Sequence, residues 1–207
     1  MTDEATLDSL LEQIGRDVLA SSVREPKRNI FDVGVSFHEA AKRCAEPRKG
    51  DLGEIITPTS PMISCFSFAC ELYMKALLET SKTHGHDLSK LFDHLDLIDQ
   101  DGIAARYEVM CGRAKPTLRK DIAGMANAFV EWRYIFERGT TKISVRHLAA
   151  LALSIYQHVR SIRKDWIVKP RLHDSIEREL PQDVLSQISL GGGVMVRAEI
   201  RRKPSRE

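Results

Sequence analysis

The stretch Ser60–Leu78 constrains the fold more than any other part of this sequence. Its first two residues, serine and proline, are a typical helix start, an N-cap followed by a proline at the first helical position. The residues that follow are apolar on nearly every side, and a helix without a polar face is normally buried. Only two charged residues, Glu71 and Lys75, interrupt this apolar stretch, and they lie four residues apart. We therefore predict a central helix over about residues 61–82, with two charges that need partners.

Apolar residues at three- and four-residue steps predict further helices on both sides of the central one. The predicted ranges are 4–22, 29–45, 86–98, 103–111, 117–137 and 143–167. Turn residues predict breaks at 99–102 and 139–141, and a short extended piece is predicted at 54–57. The pattern predicts an all-α fold of several long helices with short accessory helices.

The end of the sequence has a different character. Three consecutive glycines at 191–193 are typical of a hinge, and residues 194–200 alternate between apolar and polar side chains. We interpret 1–170 as the helical bundle domain and 171–207 as a C-terminal extension, partly helical and ending in a strand-like or flexible basic arm. Three fates are open for the strand: pairing with another chain, pairing with 54–57, or disorder.

The composition is that of a globular protein. Of the 207 residues, 43% are hydrophobic and 29% are charged, and no run approaches the roughly 18 uncharged apolar residues of a membrane helix. The acidic N-terminus lacks the basic-then-apolar order of a signal peptide. We therefore expect a cytoplasmic protein that does not associate with membranes. The net charge is only +2, but basic residues outnumber acidic ones from Arg160 onward, a bias that is compatible with a nucleic-acid partner but does not require one.

Neither the cysteines nor the histidines follow a metal-binding pattern. The four cysteines are scattered without a CxxC pair, which favours reduced structural roles; they are Cys44, Cys65, Cys70 and Cys111. His84, His86 and Asp87 lie at a helix start, where the carboxylate suits the first turn and the histidines are interpreted as caps or solvated side chains. Further converging ligands are missing. We predict no metal and no cofactor.

Two groups of charged residues are candidates for a binding site. Glu71 and Lys75 are interpreted either as a structural ion pair or as the edge of a cleft or dimer surface. Arg133 and Glu137 lie four residues apart in the aromatic segment WRYIFE. The guanidinium has three alternatives: it stacks on an aromatic ring, reaches Glu71 across the bundle, or binds a phosphate or base.

The last long helix carries His147, Ser154 and His158 on one face, at spacings of seven and eleven residues. The plainer interpretation is a polar face exposed to solvent, and the alternative is a general acid or base. The sequence has no serine nucleophile elbow, no P-loop and no glycine-rich nucleotide loop.

Three segments, in this order, resemble the HEPN superfamily (higher eukaryotes and prokaryotes nucleotide-binding domains). They are CELYMKALLE (70–79), GHDLSKLFDHL (85–95) and EWRYIFE (131–137), and the resemblance covers about residues 60–166. It implies an up-and-down bundle of four to five long helices that is commonly dimeric. It also implies either RNA cleavage in toxin–antitoxin and phage-defence systems or nucleotide binding beside a nucleotidyltransferase.

The chain departs from the motif of the nuclease members of that superfamily. These carry Arg-x(4–6)-His near the start of the last bundle helix, and none of the seven histidines here follows an arginine at that spacing. The nearest substitute is Lys142 with His147. Lysine supplies charge but lacks the planar two-donor fork of arginine.

Three functional hypotheses follow. The first is a non-enzymatic HEPN-like homodimer that binds RNA, a nucleotide or a protein partner such as an antitoxin or a nucleotidyltransferase; its ligand-binding residues are Glu71, Lys75, His86, Arg133 and Glu137. The second is a metal-independent ribonuclease with Lys142 and His147 as catalytic residues. The third is a structural or regulatory interaction module that uses the arm 191–202 for strand addition.

Overall fold

The computed structural model describes residues 25–46, 48–49, 55–56, 58–79, 84–112, 115–133, 142–178 and 194–195. Within them lie the helices α1 (Pro26–Cys44), α2 (Thr59–Leu77), α3 (Leu88–His94), α4 (Leu97–Cys111), α5 (Lys115–Ala123), α6 (Ala128–Arg133), α7 (Val145–Ile162) and α8 (Pro170–Glu177). The predicted all-α class is confirmed. The helix predicted over 4–22 lies outside the described residues.

Helix α2 is the central element of the described core. It packs against α1, α3, α6 and α7, and its buried residues cover more than half of its circumference. The remaining side, which includes Phe68, Leu72 and Lys75, is half-buried, so the burial on nearly every side that its apolar sequence predicts is observed in part. The helix begins two residues before the predicted start and ends at Leu77 rather than near residue 82. Glu71 is buried along with its apolar neighbours.

Helices α1 and α2 form an antiparallel pair with a close approach at Gly34. Phe31 contacts Tyr73, and His38, two turns further along α1, contacts Phe66, two turns earlier on α2. A Cβ atom at Gly34 would lie 2.9 Å from ring atoms of Tyr73. Glycine at this position therefore lets the tyrosine ring lie directly against the α1 backbone.

Helix α7 packs antiparallel on α4 through a buried polar contact. His158 Nε2 lies 2.7 Å from Asp99 Oδ1, and its Nδ1 lies 3.4 Å from Arg106 Nη1. Because arginine only donates, Nδ1 accepts and Nε2–H donates to the carboxylate. Arg106 also donates to the Ser161 hydroxyl at 2.9 Å. Both ring nitrogens of His158 are therefore engaged in joining the two helices.

The structure of α4 and α7 corrects two predictions. The turn predicted at 99–102 is wrong, because Asp96 caps a continuous helix by accepting from the Asp99 backbone N–H at 2.8 Å. Gly102 lies inside that helix, where its missing side chain makes room for the His158 ring. The solvent-exposed face predicted for α7 is also wrong, because Ser154 and His158 are buried.

The helix predicted over 117–137 is interrupted at residues 124–127, which separate α5 from α6. The interruption is fixed by tertiary contact, since the Leu88 N–H donates to the Ala126 carbonyl at 2.9 Å. This bond ties the turn to the start of α3. Residues 134–137, including Glu137, lie outside the described part of the chain.

Two short antiparallel ladders accompany the helices. Strand β1 (Arg48–Lys49) pairs with β2 (Ile55–Ile56), in agreement with the extended piece predicted at 54–57. Strand β3 (Lys142–Ile143) pairs with β4 (Val194–Met195). This partner of the C-terminal strand is not among the three predicted fates. The turn residues at 139–141 predict a loop followed by a helix start at 143, and so they hide the strand.

Helix α8 begins at Pro170, a residue that the sequence suggested as an end point; a proline at the first helical position favours a start instead. The helix packs against α1, and His173 Nδ1 lies 2.8 Å from the Tyr156 hydroxyl on α7. The first part of the predicted C-terminal extension thus contacts the bundle. Among the helices of the described residues, none combines the length and apolar character required to cross a membrane.

We predict that Gly102→Ala destabilises the protein by about 1–3 kcal/mol, because an alanine Cβ would lie 2.3 Å from His158 Cε1. Chemical denaturation of the variant and the wild type measures the difference. The exposed Ala105 on the same helix supplies the control, since Ala105→Gly reports helix propensity alone, about 1 kcal/mol in favour of alanine. If helix propensity dominated at position 102, Gly102→Ala would stabilise the protein. That result would contradict a close contact between residue 102 and the His158 ring.

Candidate ligand-binding site

A buried carboxylate forms the centre of the candidate site. Glu71 Oε1 accepts from Lys75 Nζ at 2.7 Å, and His86 Nδ1 lies 2.9 and 3.0 Å from the two carboxylate oxygens. The side chains of Glu71, Lys75 and His86 are 1%, 15% and 53% exposed, respectively. An ionised carboxylate only accepts, so His86 carries a proton on Nδ1. The cluster therefore runs from the buried helix to the surface.

Local backbone structure places His86 against this carboxylate. Gly85 has a positive φ of 89°, a conformation that glycine adopts readily, and it turns the chain just before the histidine. Asp87 then caps α3, its carboxylate accepting from the backbone N–H groups of Ser89 and Lys90 at 2.9 and 3.1 Å. The sequence GHD thus supplies in turn a bend, a partner for Glu71 and a helix cap.

An aromatic ring connects this cluster to α6. The Phe129 ring stacks on Phe68 with centroids 4.7 Å apart, and the His86 ring lies 5.7 Å from it. The guanidinium carbon of Arg133 lies 4.9 Å from the same ring centroid. Phe129 therefore supports both His86 and Arg133. We call the residues Glu71, Lys75, His86, Phe129 and Arg133 the Glu71 edge.

The structure thus brings together four of the five predicted ligand-binding residues, and Glu137 lies outside the described residues. Sequence reasoning assigned Phe129 only to the apolar stripe of its helix, and no spacing signal marked it as the link to His86. The Glu71 edge contains one carboxylate and two cations, since Lys75 pairs with Glu71 and Arg133 lies over the Phe129 ring. Such an excess of positive charge beside an aromatic ring suits an anionic ligand.

The two predicted catalytic residues lie elsewhere in the fold. Lys142 belongs to strand β3, and His147 is in the first turn of α7, where its backbone N–H donates to the N-cap hydroxyl of Ser144 at 3.4 Å. The His147 ring is half-buried, 6.4 Å from the ring of Tyr107. It therefore packs towards α4.

The described residues contain no group of three or more His, Cys, Asp or Glu side chains suited to hold a metal ion. The four cysteines are free thiols, and burial raises the pKa of Cys65 and Cys70 above the usual range. A raised thiol pKa lowers the fraction of reactive thiolate. This favours the structural role that the sequence predicts for these two residues.

One buried titratable residue escaped sequence reasoning. His38 lies in the core with its Nδ1 3.3 Å from the Tyr73 hydroxyl. Burial, together with the nearby charge of Lys42, lowers the pKa of His38 to about 3. In the sequence this histidine is one polar residue on an amphipathic helix, and nothing in its spacing distinguishes a buried from an exposed imidazole.

No protein-family model, curated protein or solved structure matches the chain. The resemblance to the HEPN superfamily therefore stays a prediction that rests on the three segments described above.

We predict that Glu71→Gln destabilises the protein by about 2 kcal/mol, because it removes a buried charge that neutralises Lys75 and holds His86. Denaturation midpoints at neutral pH measure the effect. Asp93→Asn is the control, since Asp93 pairs with Arg119 at the surface, where the two side chains are 50% and 57% exposed. An exposed pair contributes at most about 1 kcal/mol. Equal losses in the two variants would contradict a special role for Glu71.

We also predict an acid-sensitive contribution from His38. The unfolded chain takes up a proton near pH 6.5, whereas the folded chain does so only near pH 3, so acid favours the unfolded state. Between about pH 7 and 5 the wild type should lose about 2 kcal/mol through this residue. His38→Gln should lack that loss, as measured by denaturant unfolding at both pH values. Parallel pH profiles for the two proteins would contradict the prediction.

Proposed function

We propose that the chain is a non-catalytic HEPN-like domain that binds single-stranded RNA at the Glu71 edge. The observation that supports this most directly is that Lys75 and His86 contact one buried carboxylate, while His86 and Arg133 both lie beside one aromatic ring. Positive groups beside a planar surface are the two elements with which proteins hold single-stranded nucleic acid. Free nucleotides share this chemistry and are the smaller version of the same ligand.

Each member of the Glu71 edge has a role in the proposal. Glu71 is a positioning residue, because its two oxygens are occupied by Lys75 and His86 and its side chain is buried. His86 and Arg133 are the exposed groups that contact the ligand. The guanidinium plane of Arg133, backed by Phe129, provides a surface on which a base stacks, and its N–H groups donate to phosphate.

The assembly follows the resemblance. We propose an up-and-down bundle that dimerises, and the antiparallel packing of α1 on α2 and of α4 on α7 is compatible with such a bundle. A cytoplasmic location and an antitoxin or nucleotidyltransferase partner, in a toxin–antitoxin or phage-defence setting, belong to the same proposal. The strand-addition alternative is less supported, since Val194 and Met195 already pair with Ile143 and Lys142.

The binding experiment uses Arg133→Gln. Fluorescence anisotropy with a labelled single-stranded RNA should show binding that weakens steeply between about 50 and 200 mM salt. Arg133→Gln should bind about tenfold more weakly, because loss of one stacking contact costs on the order of 1–3 kcal/mol. The matched control is Arg163→Gln, which removes another guanidinium that lies over an aromatic ring, that of Trp166 at 5.3 Å.

The outcomes separate the hypotheses. RNA binding that is absent, insensitive to salt, or weakened equally by Arg163→Gln would contradict the proposed site. Incubation of the protein with RNA in EDTA tests the ribonuclease alternative. RNA cleavage that His147→Ala abolishes would overturn the non-catalytic assignment in favour of Lys142 and His147.

A further inference from the structure

A cavity of about 490 Å³ lies away from the Glu71 edge, where α1, α2, α4, α7 and α8 converge. Its volume falls within the range of about 300–1,000 Å³ that is typical of small-molecule sites. None of the five residues of the Glu71 edge lines it, so it is a separate feature of the fold.

The cavity wall is mainly apolar. Its apolar lining includes Phe66, Met110, Ala149, Ala150, Leu153 and Ile176. The two consecutive alanines on α7 leave space that larger side chains would fill. His38, which is buried, adds one imidazole to the wall formed by α1. A ligand that enters this space therefore needs an apolar body.

Positive groups line the same cavity. Lys42, Arg146 and Arg178 contribute three cations, and Glu177 is the sole carboxylate among the described lining residues. That carboxylate is occupied, since Gln157 Nε2 donates to Glu177 Oε2 at 2.7 Å. Lys42 Nζ donates to the Arg178 carbonyl, which brings the ends of α1 and α8 together at the cavity. The charges of the lining thus favour an anion.

The two arginines supply that preference. Arg146 and Arg178 are exposed, and within the described part of the chain no hydrogen bond or ion pair engages either guanidinium. Both guanidiniums line the same cavity, where a bound anion would offset the repulsion between their like charges. A carboxylate or phosphate is the group that the planar fork of arginine binds best.

We propose that this cavity binds an amphipathic organic anion, whose single carboxylate or phosphate headgroup pairs with Arg146 and Arg178 and whose apolar body lies along Ala149, Ala150 and Leu153. The site is independent of the RNA-binding proposal. An acyl carboxylate and an alkyl phosphate share this chemistry, and parallel titrations distinguish them.

The test is isothermal titration of the full chain with decanoate and with decyl phosphate, each below its micelle-forming concentration. Decanol and decylamine carry the same tail with a neutral and a cationic headgroup. We expect saturable binding of at least one anion, with one ligand per chain. Decanol and decylamine should bind at least about tenfold more weakly, as measured by their dissociation constants. Binding of decanol or decylamine as tight as that of the anions would overturn the headgroup assignment.

Three substitutions in the cavity and one control outside it locate the ligand. Arg146→Gln should weaken anion binding about tenfold, whereas Lys120→Gln, which changes the net charge equally at an exposed residue of α5, should leave it unchanged. Ala150→Trp fills the cavity and should abolish binding, with circular dichroism and the melting temperature showing whether the variant folds. Ala149→Leu is the milder alternative and should reduce affinity.

Failure of both anions to bind the wild type would overturn the proposal. Equal binding by wild type, Arg146→Gln and a folded cavity-filling variant would do so as well, because the anion would then be bound elsewhere. RNA binding measured in parallel keeps the two sites distinct. Arg146→Gln should leave the affinity for RNA at the Glu71 edge unchanged, and a joint loss would contradict the independence of the sites.

Discussion

The ionised side chain of Glu71 has to be neutralised inside the core, and the arrangement of the surrounding helices meets that requirement. A buried carboxylate is costly unless hydrogen bonds and an opposite charge replace water. Lys75 comes from the same helix, but His86 arrives from another segment, which requires the bend at Gly85 and the cap at Asp87. The need to satisfy one buried carboxylate thereby fixes how α3 begins.

The rest of the core depends on close contact between rings and backbone. Phe31 lies within 6.0 Å of the rings of Tyr73, Tyr156 and Trp166, so one α1 side chain joins α2, α7 and the segment after α7. Burial raises the pKa of Tyr73 above the usual range and that of Tyr156 to about 12, which keeps both hydroxyls protonated at neutral pH. Both hydroxyls lie within hydrogen-bond distance of an imidazole, that of Tyr73 at 3.3 Å from His38 Nδ1 and that of Tyr156 at 2.8 Å from His173 Nδ1.

Sequence reasoning succeeded where one physical signal dominates. Apolar periodicity located the all-α fold and the central helix, and the i,i+4 spacing of Glu71 and Lys75 correctly placed their side chains together. It failed where tertiary contact decides. Gly102 was interpreted as a turn because glycine weakens a helix, but its missing side chain accommodates His158 from α7. The link through Phe129 is likewise a contact between helices that no local pattern encodes.

The cavity marks a further limit of sequence patterns. Periodicity predicts which face of α7 is apolar, but the size of the cavity beside that face depends on side chains from five helices. Ala149 and Ala150 satisfy the apolar pattern as well as leucine would, although they leave space. In the sequence, the two arginines that line the cavity are indistinguishable from ordinary surface charges. The apolar cavity alone, or the arginines alone, would bind a ligand weakly and without selectivity. The proposed discrimination between headgroups requires both features at one place.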